Sequence, residues 1–377
     1  MRQISYITLD SIQEGVGQSQ VLSYIRKLSA TNEISLVSFE KNVPPINLLN
    51  ELKDYGIKWN YIPFGRKGVL GGLFRLVKLL KHIPSSGIVH ARSDIAAFAS
   101  VLRGSNKVIW DCRALMADHR RSLSTSFYHQ FQAVFFSFME GVIARKSRKI
   151  IVITQAVIPV LMSRYSLPLS KFHHVSTCVD ASRFIPMENN EKGNSPIRIL
   201  IAGTLSPAYD IDLMNRILSN LKNNSSIRVT VALGMSHDMS WEKLSHVDIV
   251  LRVEHADMPR IINDSDVGLA IWRNDFGIAL KSVAATKVAE FLACGVPVVV
   301  NSLQGDFGEL VSKHKVGISV AEITDAEIER VTLEIQNLKC DQQLSERCRN
   351  FAVEYYSLER AIPIIEDIYR ELELEIN

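Results

Sequence analysis

The feature of this 377-residue sequence that most limits its fold is an alternation of short β-rich runs and amphipathic segments, which occurs twice. In the first half, the pattern predicts strands over 4–9, 34–39, 59–63, 88–90, 108–111 and 150–154, and helices over 18–30, 46–55, 69–82, 94–102, 125–144 and 155–165. Strands that alternate with helices are typical of a parallel sheet covered on both faces. The first half is therefore predicted to be a Rossmann-like domain.

A polar, breaker-rich segment, Asn189–Pro196, precedes a second array of the same kind. Strands are predicted over 198–202, 228–233, 248–251, 267–272 and 297–301, with helices over 212–221, 258–263 and 286–293. An irregular stretch at 355–357 and a helix over 359–375 end the pattern. We expect a first domain over 1–180, a linker over 181–196, a second domain over 197–355 and a terminal helical segment over 356–377, with a ligand crevice at the carboxyl ends of the two sheets.

Bulk composition is that of a globular protein, with 47% hydrophobic and 22% charged residues. The five cysteines are odd in number and form no CxxC pair, which favours a reducing compartment over a disulfide framework or a zinc site. No apolar segment of the signal-peptide type follows Met1, and the most apolar stretch, 133–144, is too short to span a bilayer. These features predict a protein that is soluble or attached to a membrane from one side.

The small net charge of +3 conceals an uneven distribution. Residues 1–180 contain 23 Lys and Arg against 11 Asp and Glu, a balance of +12, whereas the remainder has a balance of −9. A basic half beside an acidic half suggests an anionic partner such as phospholipid, a diphosphate or nucleic acid. Nucleic acid is disfavoured, because no recognised nucleic-acid-binding motif accompanies the charge.

The turn after the first strand is the first candidate site. Gly15 and Gly17 would let the backbone approach a ligand, and the helix predicted to begin near Gln18 would direct its amides at a phosphate or a sugar oxygen. The spacing is not that of a GxGxxG fingerprint followed by an acidic residue, which disfavours a nicotinamide site. The alternative is a purely structural βα turn.

The second candidate site is the segment Lys281–Val300. Small residues precede its helix, so the first-turn amides would be open to a diphosphate, with the Thr286 hydroxyl beside them and with Lys281 and Lys287 as countercharge. One turn further, the carboxylate of Glu290 could accept hydrogen bonds from both hydroxyls of a ribose. Gly295 is predicted to close the helix. The alternative for Glu290 is a solvated helix face.

Six segments in order resemble the GT-B-fold retaining glycosyltransferases of the "glycosyl transferases group one" family. The run TKVAEFLACGVPVVV looks like the C-terminal signature of this family. The other segments are GVGQSQVLSYIRKLSATNEISLVSFE, GIVHARSD, KVIWDCRALMAD, VSTCVDASRF and INDSDVGLAIW. The resemblance extends along nearly the whole chain and implies two Rossmann-like domains with parallel sheets facing across a cleft.

The resemblance also implies an activity: transfer of a hexose-type sugar from a nucleotide-sugar donor, with retention and without a metal. The first domain would hold the acceptor, the second would hold the donor, and the terminal helix would return to the first domain. Gly17 and its neighbours would approach the donor, and Glu290 matches the second Glu of the Glu-x7-Glu motif that grips the ribose. No cofactor is expected beyond the nucleotide-sugar co-substrate.

Three departures from the family pattern affect the site. Ser282 stands where the first Glu of the motif is expected, and Thr204 and Tyr209 fall near the positions of a basic pair. Arg273, Lys281 and Lys287 are the candidates to balance the phosphate charge instead. In the loop after the fifth strand, Asp111 and Arg113 replace the usual His, so we assign Asp111, Arg113 and Lys281 to catalysis. The alternative for Asp111 is a buried carboxylate that pairs with Arg113.

Two basic amphipathic regions predict contact with an anionic membrane surface. The first covers 66–82, where Arg66, Lys67, Arg75, Lys78 and Lys81 alternate with leucines and no acidic residue occurs. The second combines the phenylalanines of 127–138 with the basic run 145–149. The alternative is that both are sheet-covering helices with solvated edges. A lipid-linked saccharide acceptor in bacterial surface polysaccharide assembly would fit an enzyme on the cytoplasmic face of the membrane.

Three rival functions fit the same architecture. A nucleotide-sugar epimerase should carry several acidic and His residues around its cleft, and the first-domain loops here are poor in them. A bilobal receptor of the periplasmic type would need an export signal. A catalytically inactive partner subunit remains open because of Ser282, Thr204 and Tyr209.

Overall fold

The computed structural model of the chain describes residues 1–64, 68–187, 195–234 and 240–375. It divides into two compact units: Met1–Ser176 with Leu358–Asn377, and Thr177–Ser357. Residues 188–194 of the expected linker, and Arg66 and Lys67 of the first basic region, lie outside the described residues.

The first unit contains seven strands and a set of helices that alternate with them in the described residues. The strands are β1 (Arg2–Thr8), β2 (Asn32–Glu40), β3 (Lys58–Pro63), β4 (Ile88–Arg92), β5 (Lys107–Cys112), β6 (Lys149–Val152) and β7 (Phe172–His174). The helices are α1 (Gly15–Gly17), α2 (Ser23–Leu28), α3 (Ile46–Asp54), α4 (Gly68–His82), α5 (Asp94–Leu102), α6 (Met116–Leu123), α7 (Phe127–Lys146), α8 (Ile158–Tyr165) and, at the other end of the chain, α15 (Leu358–Leu374). A π-helical turn (Gln18–Leu22) joins α1 to α2.

All neighbouring strands of this sheet are parallel, in the order β3-β2-β1-β4-β5-β6-β7. Every residue of the central strand β4 is buried, as expected for a strand covered on both faces. Alternate residues of the strands pack with α4, α5, α7 and α8 in one apolar cluster, so these four helices share one face of the sheet. From β1 the chain adds β2 and β3 on one side, and then crosses to add β4 to β7 on the other side of β1. The β1–β4 boundary is therefore the switch point of the sheet.

The second unit repeats the pattern with six parallel strands in the order β10-β9-β8-β11-β12-β13. Its strands are β8 (Ile197–Ala202), β9 (Ile227–Leu233), β10 (Ile249–Arg252), β11 (Val267–Leu269), β12 (Val298–Asn301) and β13 (Gly317–Val320). Its α-helices are α9 (Ile211–Asn224), α10 (Met258–Asn263), α11 (Thr286–Ala293), α12 (Phe307–Lys313), α13 (Asp325–Asn337) and α14 (Leu344–Tyr356). The prediction of two parallel, helix-covered sheets is confirmed.

Helix α11 ends where the sequence predicts, and the reason is Gly295. The Gly295 N–H donates to the Leu292 carbonyl and the Val296 N–H to the Phe291 carbonyl, each at 2.9 Å. This is the Schellman pattern, which requires a left-handed residue, and Gly295 has φ of +76°. The turn fixes the orientation of α11 against β12.

The terminal helix α15 packs on the first unit. Its buried residues Leu358, Ala361, Ile365, Ile368, Tyr369 and Leu372 recur at helical spacing. They pack against α2 and β4, and the Tyr369 hydroxyl lies 2.7 Å from Nδ1 of His90. At the helix edge, Arg2 forms ion pairs with Glu366 and Glu373.

Several local predictions need correction. The helical segment after β1 begins at Gly15 rather than near Gln18. Residues 355 and 356 are not irregular, because they belong to α14, and Ser357 alone separates α14 from α15. The pattern also omits β7, β13, α6 and α12, which have three to eight residues each, too few for their periodicity to be distinguished from a loop. It further omits α13 and α14, which have thirteen residues each, so their length does not explain the omission. Within the described residues, no helix has the length and apolarity needed to cross a membrane.

Candidate functional site

The second unit has its switch point between β8 and β11, where the sheet order turns back on itself. Ligands in open α/β sheets bind outside the carboxyl ends of the strands at such a point. β8 ends at Ala202, and Gly203 follows it with φ of +77°. The loop returns at Tyr209, which forms an antiparallel bridge with Trp272 beyond β11 and lies with its ring centroid 4.4 Å from that of Trp272.

The side chain of Lys287 reaches this switch point from α11. Its Nζ donates a hydrogen bond to the carbonyl of Ala202 and lies 4.7 Å from the ring centroid of Tyr209. A Cβ at position 203 would come within 3.2 Å of Nζ, so glycine at this position keeps space for the ammonium group. Burial lowers the pKa of Lys287 to about 8, against the opposing effect of Glu290. The loop that lacks the basic pair of the family therefore receives a cation from another element.

Glu290 lies one turn further along α11 and is buried rather than on a solvated helix face. Its Oε1 is 2.9 Å from Nε2 of His255, which follows β10. The His255 ring contacts Phe184, at 5.6 Å between ring centroids, and the His255 carbonyl accepts a hydrogen bond from Arg183. The Glu290 carboxylate is thereby fixed by a ring nitrogen that donates to it.

The amino end of α11 begins at Thr286, which is half-buried. Its N-cap, Ala285, offers no side-chain hydrogen bond to the first-turn amides. The preceding carbonyl, of Ala284, accepts a hydrogen bond from the Thr177 hydroxyl at 2.6 Å. Ser282 is buried and its hydroxyl donates to the Ala279 carbonyl at 2.8 Å, whereas Lys281 is exposed. The segment before α11 is therefore held by hydrogen bonds from side-chain hydroxyls to carbonyls, and the first-turn amides of α11 have no side-chain cap.

Arg273 is placed in a different environment from Lys287. Its Nε donates to Asp275 at 2.9 Å, and its guanidinium lies 5.6 Å from the ring centroid of Phe276. The hydrogen bond to Asp275 raises the pKa of Arg273. Because a neighbouring carboxylate already compensates this cation, Lys287 is the better candidate to interact with a phosphate.

The first unit gathers an ionic cluster at its own switch point. Asp10 follows β1, and its Oδ2 lies 3.0 Å from Nε of Arg92, the last residue of β4. Asp111, in the neighbouring strand β5, lies 3.4 Å from Arg92 and 3.2 Å from Arg113. The carboxyl ends of three adjacent strands thus bring two carboxylates and two guanidinium groups together.

Asp111 is buried within this cluster, which matches the alternative of a strand-end carboxylate that pairs with Arg113. Burial opposes ionisation, but Arg113, His90 and Arg92 together hold the pKa of Asp111 well below its ordinary value. His90 Nε2 lies 3.6 Å from Asp111, and its other ring nitrogen meets Tyr369. Asp111 is therefore a fixed anion, suited to orient a guanidinium or to accept a hydrogen bond from a hydroxyl.

The glycine loop has a structural explanation within its own turn. Gly15 has φ of +43°, and a Cβ there would meet nothing within 4 Å. At the buried Gly17, a Cβ would lie 1.8 Å from the carbonyl oxygen of Ser11, so this glycine allows the turn to pack on itself. The Gln18 side chain donates to the Gln13 carbonyl at 2.8 Å. This arrangement fits the alternative of a structural βα turn.

Sequence reasoning missed three residues of these two sites: His255, Arg92 and Asp10. Asp10 and Arg92 each stand at the carboxyl end of a strand, a position that carries ligand-binding side chains in parallel sheets. His255 has no comparable signal, because only the folded chain brings it to Glu290, 35 positions away. Among the described residues, no group of three or more His, Cys, Asp or Glu side chains is arranged to hold a metal ion.

Part of the chain is similar to a known protein family, and its fold is similar to solved structures. Residues 213–360, which include α11, match the family model described as glycosyl transferase-like. No curated protein sequence matches the chain. The solved structures similar to it include sucrose-phosphate synthase from Thermosynechococcus elongatus, at a TM-score of 0.76 and 11% identity over 99% of this chain and 100% of that chain.

Two further structures are informative. HepE from Anabaena, in complex with UDP and glucose, has a TM-score of 0.68 and 12% identity over 98% of this chain and 100% of that chain. A crystal structure from Listeria monocytogenes that is described as a UDP-N-acetylglucosamine 2-epimerase has a TM-score of 0.61 and 12% identity over 99% of this chain and 97% of that chain. The predicted GT-B fold is confirmed, and residues 213–360 are similar to the glycosyl transferase-like family.

Proposed function

We propose that this protein is a glycosyltransferase whose second unit binds a nucleotide-sugar donor along α11. One observation carries the proposal: Lys287 and Glu290 project from the same helix, one turn apart, with Lys287 at the switch point and Glu290 fixed by His255. A turn of helix rises about 5 Å, which suits a diphosphate beside the first residue and a ribose beside the second. The uncapped amides of α11 add hydrogen-bond donors for the phosphates.

In the proposed reaction, the bond between the anomeric carbon and the diphosphate breaks while the acceptor oxygen bonds to the same face of that carbon. The departing phosphate oxygen takes the proton of the acceptor, so the configuration is retained and no fixed nucleophile is needed. Lys287, Lys281 and the α11 amides stabilise the developing charge, which makes the reaction independent of a metal. Asp111 and Arg113, with Arg92, are proposed to orient the acceptor hydroxyl.

The proposed acceptor is a lipid-linked saccharide in bacterial surface polysaccharide assembly, used at the inner face of the cell membrane. Support comes from the basic character of the first unit, since cations favour anionic lipid surfaces and lipid-linked phosphates. Gly15, Gly17 and Gln18 remain candidates for the donor sugar, and Ser282 and Thr286 for the phosphates.

The proposal is tested by incubating the full chain with a panel of nucleotide sugars and measuring nucleoside diphosphate release, with and without lipid extract. We expect turnover with one base and sugar, unchanged by a metal chelator, and product with the anomeric configuration of the donor by NMR. Glu290→Gln should weaken binding of the nucleoside diphosphate about 10-fold to 100-fold, because hydrogen bonds to charged groups contribute about 1.5–3 kcal/mol. The matched control is Glu346→Gln, which changes an exposed carboxylate of the same unit.

The two remaining alternatives predict different results. A nucleotide-sugar epimerase would interconvert the sugar of the donor without an acceptor, which the same NMR measurement detects. An inactive partner subunit would bind no donor of the panel, and Glu290→Gln would then leave every measured affinity unchanged. Either result would overturn the transferase proposal.

A further inference from the structure

The outer face of the first unit carries a stripe of exposed apolar side chains along α7. Phe127, Phe131, Val134, Phe135 and Phe138 are each 48% to 87% exposed, and their spacing of four, three, one and three residues puts them on one side of the helix. The opposite side of α7 is buried and includes Ala133, Met139 and Ile143. Large aromatic side chains rarely line a solvent-facing helix without a partner.

A second exposed apolar set lies on α4, at Leu73, Phe74 and Val77. Helices α4 and α7 pack on the same face of the sheet, with α5 in contact with both. Because the inner sides of both helices contribute to one core, their exposed sides face outward in the same direction. We name the exposed side chains of these two helices the outer apolar face.

The charges around the outer apolar face have one sign. Between residues 55 and 179, the sequence has eighteen Lys and Arg but four acidic residues, Asp94, Asp111, Asp118 and Glu140, and the structure buries all four. Asp118 and Glu140 both pair with Arg164. Over the described part of this segment, the carboxylates are therefore withdrawn from the surface and the cations remain.

Two basic side chains of this region also lie close to aromatic rings of α4 and α7. Lys78 lies 5.3 Å from the ring centroid of Phe74, and Arg120 lies 5.9 Å from that of Phe136. Lys81 and Lys146, near the ends of the two helices, are exposed. Aromatic residues flanked by basic residues are suited to the boundary between headgroups and acyl chains.

We propose that the outer apolar face docks on an anionic lipid bilayer, with the α7 stripe inserted at the headgroup level. A second copy of this chain would fit poorly, because a symmetric contact would bring the cationic surroundings of both copies together. The inference deepens the proposed function and rests on it for the reason a membrane is needed, but the docking itself requires neither donor nor acceptor.

The test is cosedimentation of the full chain with vesicles of phosphatidylglycerol and phosphatidylcholine, and with vesicles of phosphatidylcholine alone. We expect preferential binding to the anionic vesicles that weakens with salt. Changing Phe127, Phe131 and Val134 together to Gln should reduce this binding about tenfold or more. Changing Lys78, Lys81 and Lys146 together to Gln should reduce it similarly and remove the preference for anionic lipid.

The matched control changes Ile323, Leu333 and Val353 to Gln, three exposed aliphatic residues of the second unit, and should bind as the wild type does. Equal binding of the α7 triple variant and the wild type would overturn the inference, as would a wild type that ignores anionic vesicles. A dimer in vesicle-free solution that the α7 variant abolishes would assign the face to a second copy instead. If the protein docks on vesicles but releases no nucleoside diphosphate, only the proposed function is contradicted. If it releases nucleoside diphosphate but does not dock, only the membrane inference is contradicted.

Discussion

At the scale of single residues, the His255–Glu290 pair bears on the ribose contact proposed for Glu290, because His255 holds the buried carboxylate in one orientation. One oxygen of Glu290 accepts the hydrogen bond from His255 at 2.9 Å, which fixes the plane of the carboxylate. His255 is in turn held by Phe184 and Arg183. His255 would therefore act as a positioning residue, through Glu290 rather than on the ligand.

This role predicts a selective effect of His255 substitutions. His255→Phe keeps a ring beside Phe184 but loses the donor, so we expect the nucleoside diphosphate of the donor to bind about tenfold more weakly. Its dideoxyribose analogue, which has no ribose hydroxyl to present, should bind the variant and the wild type equally. His255→Gln, which retains an N–H donor, should restore part of the affinity for the nucleoside diphosphate. Calorimetry measures these five affinities, and an equal loss for both ligands in His255→Phe would contradict the positioning role.

Lys287 predicts a pH dependence of donor binding. Burial sets its pKa at about 8, below that of a free lysine, so the ammonium is present at neutral pH and is lost as the pH rises through about 8. Affinity for a nucleoside diphosphate should therefore be highest below pH 8 and fall above it. Lys287→Met should bind about tenfold more weakly at neutral pH and show no such fall.

The lowered pKa of Lys287 also predicts how the stability of the ligand-free protein depends on pH. The unfolded chain holds the proton of this lysine more tightly than the folded chain, so its contribution to the free energy of unfolding increases with pH above about 8. Lys313→Met, at an exposed lysine of α12, is the control for both effects. A pH profile of binding that is the same in the wild type and in Lys287→Met would contradict the assignment.

At the scale of elements, α11 depends on its carboxyl-terminal turn. In Gly295→Ala, the left-handed backbone costs about 1–2 kcal/mol, and the new Cβ would lie 2.2 Å from the Ser345 hydroxyl of α14. We expect a lower urea midpoint of unfolding and weaker nucleotide binding, because the turn orients the helix that carries Lys287 and Glu290.

A second substitution separates the two causes. Ser345→Ala removes the hydroxyl that meets the new Cβ, so it should recover part of the stability lost in Gly295→Ala but not the part due to the backbone. Complete recovery in the double variant would mean that the left-handed conformation contributes nothing to the cost.

The sequence predicts features that depend on neighbouring residues, such as the end of a helix. It does not predict features that depend on the order of the strands in the sheet. Gly295 after a periodic segment predicted the end of α11 correctly, since a Schellman turn is a property of neighbouring residues. The Asp10–Arg92–Asp111 cluster requires β1, β4 and β5 to be adjacent, and that order is not written in any one segment. Individual strands were predictable, whereas the pairs of strand ends that form the sites were not.

At the scale of the whole molecule, fold and sequence have diverged to different extents. The similar structures cover nearly the full chain at 11% to 12% identity, whereas the family model matches only residues 213–360. Parallel sheets with buried central strands tolerate many apolar exchanges, so their order persists while side chains change. In the second unit, the loop after β8 contains no basic side chain between Gly203 and Asp210, and Lys287 reaches that loop from α11.

The path of the chain through the two units has a consequence for biosynthesis. The second unit is an insertion within the first, and its two ends are joined by a parallel bridge between Val179 and Ser357. A ribosome therefore completes the inserted unit before it releases α15, on which Tyr369 supports His90 beside Asp111. The enclosing unit, although begun first, matures second, so a nascent chain whose second unit can already fold still lacks the helix that completes its first unit.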